Sequence, residues 1–208
     1  MCVETRDRAL AASTAAYASY VTRKLRPQEA GFTYHVNTRG NRRCDIYLDD
    51  YDRRAFLDLL AKGIAQFQWI CHAYCLMTSH YHIQLTTPEP NIAAGMQMLN
   101  SRYAEYFNRR YELTGHVFQG RYGSKVAQDE SQFLEAFRYV VLNPVRAGLC
   151  VEPEAWPWSS YRFTLGLEPK PDFLEVDFVL DCFATDRELA KHGLRSWIRE
   201  RQAPLLAA

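Results

Sequence analysis

Two histidines at a spacing of two, His80 and His82, lie inside the run Ser79-His80-Tyr81-His82-Ile83. On a strand alternate side chains share a face, so the two imidazoles would stand roughly 6 to 7 Å apart and point at one spot. That geometry suits a pair of metal ligands, though taken alone such a pair is more often an ordinary surface or hydrogen-bonded one. Tyr139 and Asn143 form a second constellation, because residues four apart on a helix share a face. With that face against the histidine strand, two imidazoles and an amide oxygen would hold a divalent ion beside a phenol. An ion placed there polarises a phosphate, and a tyrosine oxygen can attack it and store the bond as phosphotyrosine. Imidazole with carboxamide is a borderline donor set, which suits Mg²⁺ or Mn²⁺ and not a closed structural zinc site.

The surrounding pattern says what must position these groups. Phe32 to Thr38 is rich in β-branched and aromatic residues and predicts a strand, followed by a donor-loaded turn from Arg39 to Arg43. A short strand is expected around Asp45 to Leu48. Asp49 or Asp50 then caps a helix in which Phe56, Leu59, Leu60, Ile64 and Phe67 recur at three- and four-residue steps. Trp69 to Met77 and His80 to Thr86 read as a hairpin joined by Thr78-Ser79, with Tyr81 turned to the core. Asn91 is a candidate cap for a long helix carrying Ile92, Met96, Leu99, Tyr103, Tyr106 and Phe107 on one face. His116 to Val126 reads as a further strand, interrupted by Gly120 and Gly123. A helix opening at Asp129, Glu130 or Ser131 carries Tyr139 and stops at Asn143-Pro144. Two short helices are expected over 173–184 and 186–201. This order predicts an α+β fold, a central antiparallel sheet with helices on its faces in the manner of the split βαβ design, followed by a helical C-terminal extension.

The 208 residues, 48% of them hydrophobic, suffice for one domain with a real core. No apolar stretch reaches 18 residues and the first 20 lack a signal-peptide layout, so the expected address is the cytoplasm. Six cysteines form no C-x-x-C pair and read as reduced thiols. Cys71 and Cys75, four apart, are expected on one strand face as small core residues. The net charge of +1 hides an asymmetry: Arg23 to Arg43 carries six Lys/Arg against Glu29, whereas Glu168 to Glu188 carries seven acids against Lys170 and Arg187. An anion-binding face and an acidic appendage follow from that contrast.

Several motifs are familiar in combination. Tyr34-His35-Val36, Arg39-Gly40-Asn41, His72-Ala73-Tyr74 and His80-Tyr81-His82 resemble the HUH single-strand transposases. Tyr106-Phe107-Asn108-Arg109-Arg110, the run from Gly115 to Tyr122, the run from Leu142 to Gly148 and Trp156-Pro157-Trp158-Ser159-Ser160-Tyr161 resemble the REP-associated tyrosine transposase branch. The resemblance covers about residues 27–166, leaving an N-terminal extension over 1–26 and an acidic C-terminal extension over 167–208. It implies metal-dependent cleavage and rejoining of single-stranded DNA at hairpin-forming repeats through a covalent 5′-phosphotyrosine. His80 and His82 would be the metal pair, Tyr139 the nucleophile and Asn143 the third ligand. The branch leans monomeric. Two departures stand out: Ser79 where the branch often has Asn, and Tyr81 where a bulky apolar residue is usual.

Arg39, Asn41, Arg42 and Arg43 are candidate DNA contacts, since guanidinium forks and amides suit phosphates and base edges. His116, Gln119 and Arg121 are further candidates, with Arg109, Arg110 and Arg146 weaker ones of the same kind. Two other classes compete with the enzyme. A non-catalytic hairpin-binding protein would keep the basic loop without needing the metal, and a phosphodiesterase using water would form no adduct. The acidic helices are expected to cover the active site or the DNA groove and restrain activity.

Overall fold

The structure, a computed structural model, describes residues 28–206; the N-terminal segment over 1–26 and Cys2 lie outside the described residues. Four antiparallel strands, β1 (Phe32–Arg39), β2 (Ile70–Leu76), β3 (His80–Thr87) and β4 (Gly123–Ala127), form one sheet in the order β2-β3-β1-β4. The main helices are α1 (Asp50–Phe67), α2 (Ile92–Arg110) and α3 (Glu130–Val141). A single further turn, α4 (Asn143–Arg146), follows α3 directly. After two short helices, α5 (Tyr161–Thr164) and α6 (Asp177–Asp181), comes the long α7 (Arg187–Leu206). No described helix is long and apolar enough to cross a membrane.

Strand alternation gives the sheet two faces with different jobs. Tyr34 and Val36 of β1 pair with Leu85 and Ile83 of β3, and all four are buried with Tyr81 against α1 and α2. There Phe56 of α1 packs 4.6 Å from the Tyr81 ring and 5.2 Å from the Tyr103 ring of α2. The intervening residues His35, Asn37 and Arg39 pair with Gln84, His82 and His80, so the other face is polar at its centre. Helix α3 packs over that face and is pinned where the Gln84 side chain donates to the Phe133 carbonyl at 2.9 Å.

The caps follow local chemistry at two of three helices. Asp49 accepts from the Asp52 N–H at 3.1 Å, and Asp129 accepts from the Gln132 N–H at 2.8 Å. Asn91 caps nothing with its side chain; it accepts from the Trp69 indole at 2.6 Å and donates to the Phe67 carbonyl at 3.0 Å, tying α2 to the end of α1.

Other expectations need correction. Asp45 to Leu48 is a loop whose Ile46 and Tyr47 N–H groups both donate to the Thr78 carbonyl. His116 to Tyr122 is not strand: glycines at 115, 120 and 123 free the backbone, which crosses the end of β1 through Asn41 N–H to Val117 O and Gln119 N–H to Arg39 O. Helix α3 does end just before Asn143-Pro144, at Val141, but these two residues open the separate turn α4, with Pro144 in a first turn where no donor is needed. The helix expected over 173–184 shrinks to α6, because Glu175 donates its N–H to Cys71 O along the β2 edge. A bulge at His72 pairs Cys71 with Leu85 and Cys75 with His82, on opposite faces; both cysteines are buried, but they do not share a face.

Candidate active site

The polar face of the sheet and the end of α3 enclose a cavity of about 550 Å³. Its walls include Arg39, His80, His82, Gln119, Arg121, Tyr139 and Asn143. The two constellations read from sequence therefore meet in one place. Sheet register puts His80 opposite Arg39 and His82 opposite Asn37, and the helical step places Tyr139 above them. The ring centroids of His80 and His82 are 5.1 Å apart, and the Tyr139 ring lies 5.4 Å from that of His82. Tyr139 is 40% exposed, a large aromatic left open to solvent on the cavity wall.

Asn143 is buried, and its amide donates to the Tyr139 carbonyl one turn back at 3.2 Å. It also hydrogen-bonds the His80 side chain. Three donors thus converge: two imidazoles and one amide held by its own helix.

A third histidine, absent from the sequence-derived set, completes the cluster. His35 Nε2 lies 2.9 Å from His82 Nδ1, and the rings stack at 5.1 Å. Its signal lay in the alternation of β1, which sends His35, Asn37 and Arg39 to one face. Burial is the main reason the imidazoles resist protonation: His82 is pushed down to about 2, helped by His35, His80 and nearby arginines, and His35 to about 4, helped by Lys125. His80 is lowered by burial and by Arg39, against the Asn143 hydrogen bond. Neutral imidazole is the form that binds metal. With His82 Nδ1 engaged by His35, its other nitrogen remains for a ligand. Residues His80, His82 and Asn143 thus fit an ion with open positions. Among the described residues no group of three or more His, Cys, Asp or Glu is placed to hold a metal ion, so the donor set here is two imidazoles and one amide.

The remaining candidates divide. Arg39, Gln119 and Arg121 line the cavity, and His116 lines a groove that shares Gly120 and Arg121 with it. Asn41, Arg42 and Arg43 form the 3-10 turn just beyond β1 and do not line it. Arg109 and Arg110 are not brought there: Arg109 pairs with Glu105 at 2.8 Å, and Arg110 clamps Asp49 at 2.6 Å and Asp52 at 2.5 Å. Arg146, given little weight from sequence, sets its guanidinium 4.7 Å over the Tyr139 ring.

The family model for IS200-like transposases matches residues 29–142, more than half of the chain. The chain belongs to the IS200-like transposase family. This transposase is also 23% identical to a REP-associated tyrosine transposase of Haemophilus influenzae over 146 residues, 61% of this chain and 82% of the relative. A solved REP-associated tyrosine transposase bound to a REP hairpin superposes with a TM-score of 0.61 at 18% identity, covering 74% of this chain and 94% of that one. Both agree with the branch indicated by the motifs, and the superposition shows the shared α+β fold.

Proposed function

We propose that this transposase cleaves and rejoins single-stranded DNA beside hairpin-forming repeats, as a monomer, through a 5′-phosphotyrosine on Tyr139. One observation carries the reading: an exposed tyrosine shares its cavity with the half-buried His80, the buried His82, the Asn143 amide and two arginines. Those arginines, Arg39 and Arg121, have no carboxylate partner among the described residues. The relatives add that a protein of this fold has been seen with a REP hairpin.

In the forward step the Tyr139 oxygen attacks phosphorus and loses its proton, and the bond to the 3′-oxygen breaks as that oxygen takes a proton. The phosphodiester is conserved as a tyrosyl ester, so a 3′-hydroxyl can later reverse the exchange. Asn143 and His35 hold the groups around the nucleophile in register, while Arg39 and Arg121 face the phosphate charge. When bound by His80, His82 and Asn143, Mg²⁺ or Mn²⁺ supplies Lewis-acid stabilisation of charge on the phosphate.

The test is a labelled single-stranded oligonucleotide carrying a hairpin from the neighbouring genome, incubated with Mg²⁺ or Mn²⁺ and then denatured. The protein forms a denaturation-resistant adduct, and Tyr139→Phe forms none while still binding the hairpin. A wild-type protein that binds but forms no adduct with any metal or flank is the non-catalytic binder; cleavage that survives Tyr139→Phe identifies water as the nucleophile.

A further inference from the structure

Tyr139 is the wall between two cavities. Beyond the metal-side cavity lies a second chamber of about 580 Å³, lined by His35, Asn37, Lys125, Gln132, Tyr139 and Arg146. The two share Asn37, Gly123 and Tyr139, so whatever occupies one abuts the other. Their remaining walls differ, with the histidine pair on one side and the cations Lys125 and Arg146 on the other.

We propose that this second chamber binds the nucleotide that adjoins the scissile phosphate, with Lys125 and Arg146 on its phosphate. The inference rests on the reading of Tyr139 as nucleophile and extends it to where the strand runs. Neither Lys125 nor Arg146 has a carboxylate within ion-pair distance among the described residues. The one acid on the chamber wall, Glu135, is taken by Arg138 of its own helix. Two unneutralised cations therefore face a space whose volume falls in the range of ligand pockets, about 300 to 1,000 Å³. Its floor is β4, an edge strand paired on one side only, whose outer backbone groups are open to a ligand. At the junction a Cβ on Gly123 would stand 2.3 Å from Asn37 Oδ1, so glycine there leaves room for the Asn37 side chain that both chambers share. Arg146 reaches from the Tyr139 ring into this space, so it links the nucleophile's orientation to the occupant.

Binding of the full-length protein in EDTA, where no strand is cut, tests the proposal by fluorescence anisotropy. The probes are a bare hairpin and the same hairpin with about four unpaired nucleotides on its 5′ or its 3′ side. Lys125→Ala with Arg146→Ala weakens binding of one flanked hairpin about tenfold, lowers its salt slope by about 1.4, and leaves the bare hairpin unchanged. Lys125→Arg with Arg146→Lys keeps the charge and restores most of the affinity, which separates the effect from misfolding. Equal losses on bare and flanked hairpins, or no loss on either flank, overturn the proposal. The readout needs no chemistry, so a protein that passes here yet forms no adduct refutes the phosphotyrosine reading alone.

Discussion

His35 Nε2 stands 2.9 Å from His82 Nδ1, so one strand orients the His82 imidazole of its neighbour. The contact is set by register: His35 is two positions along β1, on the same face, from Asn37, which faces His82 directly. Because the hydrogen bond fixes which His82 nitrogen is free, His35→Ala lowers Mn²⁺ affinity by about 10- to 100-fold. Hairpin binding in EDTA stays at the wild-type value. Isothermal titration with Mn²⁺ alone reads the first effect, and an unchanged affinity would show that His82 needs no orienting partner.

The same imidazoles make stability pH-dependent. Their folded values, about 4 for His35 and about 2 for His82, lie below the ordinary imidazole value of 6.5 that the unfolded chain regains. The unfolded state therefore takes up protons first as pH falls. Their contribution is complete above pH 6.5 and is lost on acidification towards pH 4, by on the order of 1 kcal/mol per pH unit for each ring. Urea unfolding of the metal-free protein at pH 7.5, 6 and 5 shows a falling midpoint. A His35→Phe, His82→Phe double variant flattens that slope.

Arg110 is held at the far end of α2 by Asp52, which is fully buried and also accepts from the Leu48 N–H at 2.8 Å and the Tyr111 hydroxyl at 2.8 Å. Asp52→Ala leaves those two donors unpaired and Arg110 held by Asp49 alone, and costs about 3 kcal/mol in chemical denaturation. Arg110→Ala lowers the thermal midpoint while hairpin affinity, corrected for folded fraction, stays the same. A selective loss of hairpin affinity would return Arg110 to the DNA interface.

Gly95 sits inside α2, where Ala would ordinarily gain up to about 1 kcal/mol. Here an added Cβ would meet the Trp69 ring at 2.1 and 2.3 Å. The indole cannot yield easily, because it bonds Asn91 at 2.6 Å and stacks on Phe67 at 5.5 Å. Gly95→Ala is therefore destabilising, by about 1 to 3 kcal/mol, as a urea melt will read; a stabilised variant would show that the indole moves.

The hairpin and its histidine face were legible because period-two alternation and a two-residue connection are local signals. Tyr139 with Asn143 was legible for the same reason, a single helical step. His35 was not, since its role depends on which strands are neighbours and in what register. The bulge at His72 is likewise invisible to a count of alternation, and it reverses the face of Cys71. Arg109 and Arg110 looked available in sequence because their carboxylate partners Asp49 and Asp52 lie some sixty positions away or, for Glu105, only a turn back. The glycine-rich run after Gly115 carried β-like residues, but its backbone bonds go to the end of β1 instead of extending β4.

The C-terminal helix bears on the Tyr139 turn from behind. Arg138, the residue before Tyr139, is buried; its guanidinium lies 4.3 Å over the Trp197 ring of α7 and pairs with Glu135. Ala190, Leu194 and Ile198 bury the rest of that α7 face. No described residue beyond Arg146 lines either cavity beside Tyr139, so this placement does not match a cover over the site. Instead α7 supports the turn that presents Tyr139. Trp197→Ala then removes a stacked ring from a buried cation and costs about 2 kcal/mol, while Trp197→Phe keeps most of the stability. Truncation after residue 166 lowers the thermal midpoint and slows adduct formation per folded molecule. A truncated protein that forms adduct faster than the full chain would restore the restraining role and reject the supporting one.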